Sequence, residues 1–429
     1  MPIQQMFLGV GKGIPQTNFS FASEVNDIEG SGITKSEHVK VAADPHNENR
    51  YAFAFTDDDG SKRGYIRIAT RSGTSLTFSP RYDASDTNNT QTASIVFDPS
   101  NSGKIIYLYN TNKPYARVIS FSGSAGSESF SRSSAFLVTN YGWSGYHGVK
   151  MVPMGSTGRY VIPFKNSNTA YLRIITASSS AVTSRDSAGG SDAISLTSST
   201  FDPPQIAIDP TDSTKGMMCT VTNASYPNGE KLIVRALTFS GSGTSANVSV
   251  GTETELTPSI LSGRGYTGAS GWQQIVACGA GKYVAFAKGG DSPHNKKLVG
   301  VAFDYDGSNY TLGSATYAPQ NITSNNVPGP TWVASNNGGN IIGLIGAYES
   351  YNDGNGNRPV YATVCTRSDN RSLSYTNVTA IGNTGNTKNF DPFTAQGYDD
   401  GNTHLTCYGN NLNGSNFDNM SGVLWQAGG

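Results

Sequence analysis

Acidic residues in three loops are the first candidates for chemistry. Asp57-Asp58-Asp59 separates two apolar runs, Asp353-Gly354-Asn355-Gly356-Asn357 has D-x-N-x-N spacing, and Asp399-Asp400 stands before another run. Oxygen side chains alternating along a turn can wrap a hard cation such as calcium. Neither Gly-rich loop brings the terminal glutamate of an EF-hand, so solvated Asn/Gly turns are the plainer reading. Glycoside hydrolysis needs two carboxylates placed across one bond, and no Glu/Asp pair with a Tyr or Arg cluster stands apart. The five histidines, His38, His46, His147, His294 and His404, are scattered and form no Ser-His-Asp pattern. Cys219, Cys278, Cys365 and Cys407 show no metal-ligand spacing and read as buried thiols. The expectation is a non-enzyme with no catalytic residue, no metal and no cofactor.

Aromatic residues carry the stronger binding signal. Tyr141, Trp143 and Tyr146 precede a short apolar run, Trp272 and Trp332 take the same place further on, and Tyr351 sits in a long polar loop. Flat rings beside Asn and Asp side chains suit sugar recognition. The competing reading makes the tryptophans fillers between packed sheets.

The elements that must position these residues repeat. Val39–Phe55, VKVAADPHNENRYAFAF, reads as strand, tight turn, strand, with Asp44-Pro45 as the break. The pattern returns at Ala93–Tyr109 and Gln205–Val221. Asp44 and Asp98 are 54 residues apart, and Asp98 and Asp209 are 111 apart, which is twice about 55. Looser copies lie at Val149–Phe164, Gln274–Ala287, Trp332–Ile345 and Phe393–Tyr408. This spacing predicts an all-β, seven-bladed β-propeller of four-stranded antiparallel blades. The last copy has three strands, and Asn18–Val25 is a spare strand near the N-terminus. Pairing it with Gly422–Gln426 would close the ring and remove an exposed edge. Arg67, Arg117, Arg173 and Arg235 recur in the third strands and are expected to meet the Asp-Pro carboxylates. Two domains follow: an arm over residues 1–16 and the propeller over 17–429.

Composition narrows the function class. Charged residues are 14% and glycines number 50, while 30 basic residues balance 31 acidic ones. That leaves no basic field for nucleic acid or an anionic membrane, and no run is long enough to span a bilayer. Met1–Gln16 lacks the features of a secretory signal. The arm carries Ile3, Met6, Phe7, Leu8, Val10 and Ile14, too few for a core but enough to fill a neighbour's groove. An exterior composition without an export signal or disulfide framework fits a virion protein made in the host cytoplasm.

Two resemblances follow from particular residues. The Asp-Pro turns resemble those of sialidase-like repeats, and Thr56–Gly60, TDDDG, matches the first half of their Asp-box, S-x-D-x-G-x-T-W. Lys62-Arg63 stands where Thr-Trp belongs, and the stretch lies between second and third strands rather than third and fourth. The opening MPIQQMFLGVGKG resembles the start of virion structural proteins of tailed phages, particularly marine ones. That resemblance implies a tail- or capsid-associated protein, present in many copies on a symmetric particle, with other virion proteins as partners and a host surface glycan as a further one. The alternative is a secreted sialidase-like or other glycan-active propeller hydrolase.

Overall fold

In the computed structural model the described residues are 19–21, 28, 36–57, 61–143, 149–185, 193–198, 203–221, 231–256, 273–288, 298–318, 328–334, 340–348, 359–376, 379–383, 393–396, 403–410 and 419–427. Apart from one 3-10 turn at Gly243–Ser245, their regular structure is all β. The chain forms a β-propeller. Each blade is an antiparallel meander, as blade one shows with Ser36–Ala43, Arg50–Asp57, Gly64–Ser72 and Ser75–Phe78. The first strands of successive sheets lie against one another around the axis.

Alternation explains why these sequences build radial sheets. Successive residues point to opposite faces, and in a blade both faces are covered by neighbours. The second strands are accordingly apolar throughout: Tyr51 to Phe55 is buried at every position, as is Ile105 to Tyr109. The core is a set of seams between adjacent sheets, not one central cluster. Ala52, Ile66 and Ile68 of blade one meet Ile95, Ile105 and Tyr107 of blade two. Ile106 and Leu108 meet Met151, Tyr160 and Phe164 of blade three.

The expected ring of seven uniform four-stranded blades requires correction. Six blades share one build, and it has five strands. In blade one the fifth is Tyr82–Asp83, which pairs with Tyr65 and Ile66 on the same edge of the third strand that Ser75–Phe78 uses further along. The outer row is thus broken in two. A hydroxyl fills the break: Ser79 accepts the Ile68 N–H at 2.9 Å, Ser133 that of Val118 at 3.0 Å, and Thr376 that of Val364 at 3.0 Å. In four of the six the fifth strand has two residues and leaves no periodicity to read, so the sequence shows only the longer outer piece. In blade three that shifts the outer strand: the expected run at Ala193–Leu196 belongs to the fifth strand, Ile194–Ser198, and the fourth is Val182–Arg185.

The sheet that completes the ring is built differently and is the four-stranded one. Phe393–Gln396, Thr403–Asn410 and Asn419–Ala427 are joined by Phe19–Phe21 from the other end of the chain. Phe19 to Phe21 runs antiparallel to Ala427 to Trp425. Ile28 packs into the seam with Trp425 and Val423, and Arg71 of blade one donates to the Thr403 hydroxyl at 2.8 Å.

Removing residues 1–25 should leave the outer edge of Asn419–Ala427 unpaired. The expected outcome is a lower melting temperature and aggregation in light scattering, while removal of residues 1–16 alone leaves both unchanged. Equal behaviour of the two truncations would show that Phe19–Phe21 contributes nothing to closure.

Candidate functional site

The meander separates two faces. First-to-second turns lie on one; second-to-third hairpins and inter-blade linkers lie on the other. The Asp-Pro turns bind the first face together. Asp44 accepts from His46 N–H at 2.9 Å and pairs with Arg50 at 3.3 Å. Burial raises its pKa against both partners. The next turn is reached by His46, whose Nε2 lies 2.9 Å from the Asp98 carbonyl oxygen. Asp209 accepts the Gly281 N–H of blade five at 2.8 Å. These buried carboxylates fasten turns and neighbouring blades.

The linker face carries the candidate binding residues. Three consecutive hairpins are bracketed by stacked rings: Phe55 and Tyr65 at 5.9 Å, Tyr109 and Tyr115 at 5.8 Å, Phe164 and Tyr171 at 5.6 Å. Arg81 covers Tyr65 at 4.8 Å, and Tyr141 stacks on Tyr171 at 5.2 Å. Tyr65, Tyr115, Tyr141 and Tyr171 are half-buried, so each offers an apolar edge with a polar tip.

The recurring arginines do not meet the Asp-Pro carboxylates. Arg67 donates to the Ile28 carbonyl at 2.5 Å, and Arg173 to the Val138 carbonyl at 3.0 Å. Arg117 donates to the Tyr109 hydroxyl at 3.1 Å and lies 4.0 Å from Asp86. All three clamp the linker that enters their own blade from the preceding sheet. Arg235 instead pairs with Glu253 at 2.8 Å within its blade. The third strand runs toward the Asp-Pro face, but these side chains start near its linker-side end, out of reach of the turns.

Charge on this face concentrates between blades one and two. Arg63 pairs with Asp83 at 2.9 Å and Arg132 with Asp86 at 2.7 Å. Lys62, Asp86 and Asn89 all hold positive φ, at 46°, 60° and 57°. Strain of this kind persists only where surroundings enforce it, and here the linker backbone does so: Thr90 N–H bonds to the Lys62 carbonyl at 2.6 Å and Asn89 N–H to that of Ser61 at 3.1 Å. Both aspartates are thus engaged by arginine. Of the Asp57–Asp59 triplet only Asp57 is described, and it is buried. Among the described residues no three His, Cys, Asp or Glu converge on a metal position. The four cysteines are buried and outside any disulfide, and burial pushes the Cys278 thiol up to about 12, away from the thiolate that redox or nucleophilic work requires.

The expected sugar-binding aromatics separate on inspection. Trp143 is 9% exposed and stacks on Phe164 at 5.4 Å, inside the seam between blades two and three. Tyr141 is the half-buried neighbour. Trp332 lies within the first strand of blade six, Pro328–Ala334, not ahead of it. Tyr146, Trp272 and Tyr351 lie outside the described residues, as do Ile3, Met6, Phe7, Leu8, Val10 and Ile14 of the arm. Sequence reasoning passed over Tyr65, Tyr115 and Tyr171, although Y-x-R recurs at all three and would have found them.

No protein-family model matches the chain, and no curated protein matches it either. Solved structures do. A protein of unknown function from Dyadobacter fermentans aligns with TM-score 0.50 and 10% identity, covering 96% of this chain and 100% of that one. The WD40 domain of Toxoplasma gondii coronin aligns at 0.52 and 7%, over 96% and 87%. A fungal alcohol oxidase in complex with copper aligns at 0.56 and 12%, over 95% and 76%. At such identities the likeness establishes the β-propeller fold alone.

Replacing Arg173 by Ala should remove a buried, charge-assisted bond to the Val138 carbonyl, costing about 1.5–3 kcal/mol. Chemical denaturation should show that loss. Lysine at this position should recover little of it, because an ammonium cannot reproduce the planar fork; full recovery would mean that charge alone holds the linker.

Proposed function

We propose that this protein is a non-catalytic structural protein of a tailed-phage virion, tail- or capsid-associated, that docks through its N-terminal arm and presents the linker face outward. The observation that carries the non-catalytic part is the engagement of the described carboxylates at the junction of blades one and two. Asp83 and Asp86 are held by Arg63, Arg117 and Arg132, and the recurring arginines brace linkers. The virion part rests on the resemblance of MPIQQMFLGVGKG to virion proteins and on the exterior-type composition. Assembly from host cytoplasm into the particle, beside other virion proteins, follows from that reading.

A host surface glycan is the proposed outward ligand. Half-buried Tyr141, stacked on Tyr171, supports this, with Tyr65 and Tyr115 presenting equivalent edges on neighbouring blades. Tyr146, Trp272, Trp332 and Tyr351 belong to the same proposal. The hydrolase alternative predicts turnover; the present reading predicts binding without it. Purified protein should retain bacterial surface polysaccharide on an array, lose retention in Tyr141→Ala, and release no reducing sugar. Sugar release abolished by substituting Asp57 would support the hydrolase.

The arm is tested by replacing Phe7 and Leu8 with Ser. Each large side chain contributes roughly 1.5–3 kcal/mol when fully buried, and multiple copies on one particle add avidity. The doubly substituted protein should melt like the parent yet fail to enter particles. A large fall in melting temperature with incorporation retained would place the arm against the propeller and the docking surface elsewhere.

A further inference from the structure

The seam between blades three and four contains a buried hydroxyl, that of Thr220, with no hydrogen-bond partner. Val149 and Met151 pack in the seam with blade two, beside Leu108 and Phe164. Lys150 stands between them, just ahead of the first strand Val152–Pro153, and continuing that strand's alternation assigns it to the opposite side, toward blade four. In blade four, Met218 lies in the seam with blade three and Cys219 in the seam with blade five. Thr220 therefore faces blade three. It is fully buried, and its hydroxyl makes no hydrogen bond.

Thr220 also replaces a ring. It follows the turn aspartate Asp209 by 220 − 209 = 11 residues, as Phe55 follows Asp44 and Tyr109 follows Asp98. Phe164 holds the matching place in blade three. Those aromatics begin the stacked pairs of blades one to three. Threonine removes most of the ring's volume on the side that Lys150 faces.

We infer that the seam between blades three and four binds a small oxyanion, a carboxylate or phosphate group, through the Lys150 ammonium and the Thr220 hydroxyl, in the space an aromatic ring fills elsewhere. The inference stands apart from the virion reading. A partly desolvated cation without a counter-charge is costly, and a buried unpaired hydroxyl adds to that cost. Lys150 is half-buried as a residue, and burial of its ammonium lowers its pKa to about 8, with no carboxylate near enough to offset the effect. The folded state therefore releases this proton before the unfolded chain does, and without anion stability should rise as pH climbs from about 8 toward the ordinary lysine value. A bound oxyanion reverses the shift.

Two sources carry this chemistry, a free ion in solution and the acid group of a sugar, and the experiment separates them. Melting temperature is measured at pH 7 in phosphate, acetate, glucuronate or chloride at equal ionic strength. The expected result is a rise of about 2–4 °C over chloride in millimolar oxyanion, absent at pH 9.5, in Lys150→Met and in Thr220→Phe. A response to all three oxyanions indicates a free ion; a response to glucuronate alone indicates a sugar acid. Carbon NMR of the Lys150 methylene beside the amine gives an independent reading on the unaltered protein, with its pKa moving up from about 8 in the effective anion. The inference is overturned by an equal response in Lys150→Met, or by no oxyanion-specific rise together with a Lys150 pKa that no anion moves.

Discussion

The apolar seam between neighbouring sheets is the interaction on which everything else depends. Each blade presents two apolar faces, and neither can be covered within the blade itself. Tyr51, Phe53 and Phe55 in one face of a strand, with Ala52 and Ala54 in the other, need partners on both sides. Only a closed ring supplies them to every blade. The joining of Phe19–Phe21 to the C-terminal sheet is therefore a condition for the fold, since an open ring would leave two seams and a strand edge in water.

The polar residues extend that logic. On one face, Asp44, Asp98 and Asp209 tie turns and reach the next blade through His46 and Gly281. On the other, Arg67 and Arg173 hold incoming linkers at the level of the stacked rings, where Arg117 bonds to the Tyr109 hydroxyl of its own blade. Both sets act where backbone leaves a sheet and would otherwise lack partners for its carbonyl and N–H groups. The linker face is thereby braced at blades one to three, where the tyrosine edges stand half-buried beside the linkers.

Departures from the repeat are the places where function can enter. Lys62, Asp86 and Asn89 hold left-handed backbone at one junction, and the arginines around them neutralise the carboxylates. Thr220 stands where three blades use a ring, and its buried hydroxyl has no hydrogen-bond partner. In a fold whose units are nearly interchangeable, a polar substitution in a buried seam has no structural advantage over the apolar original.

Much of the architecture was legible in the chain itself. Two-residue alternation, Asp-Pro breaks and a spacing near 55 residues identified repeated antiparallel sheets, because strand period and turn chemistry are local properties. The spare N-terminal strand was legible for the same reason. Three things required the tertiary structure. The outer row is split in six blades, at a hydroxyl of Ser79, Ser133 or Thr376 in three of them, and the two-residue strands have no period. The partners of the recurring arginines are linkers from the preceding sheet, a contact between segments distant in sequence that no spacing encodes. Which aromatics are wedges and which are half-buried was equally hidden: Trp143 and Tyr141 are two residues apart, yet one fills a seam and the other lies at its edge. Composition sets what a side chain can do, but the neighbouring sheet decides whether any of its surface is left to do it.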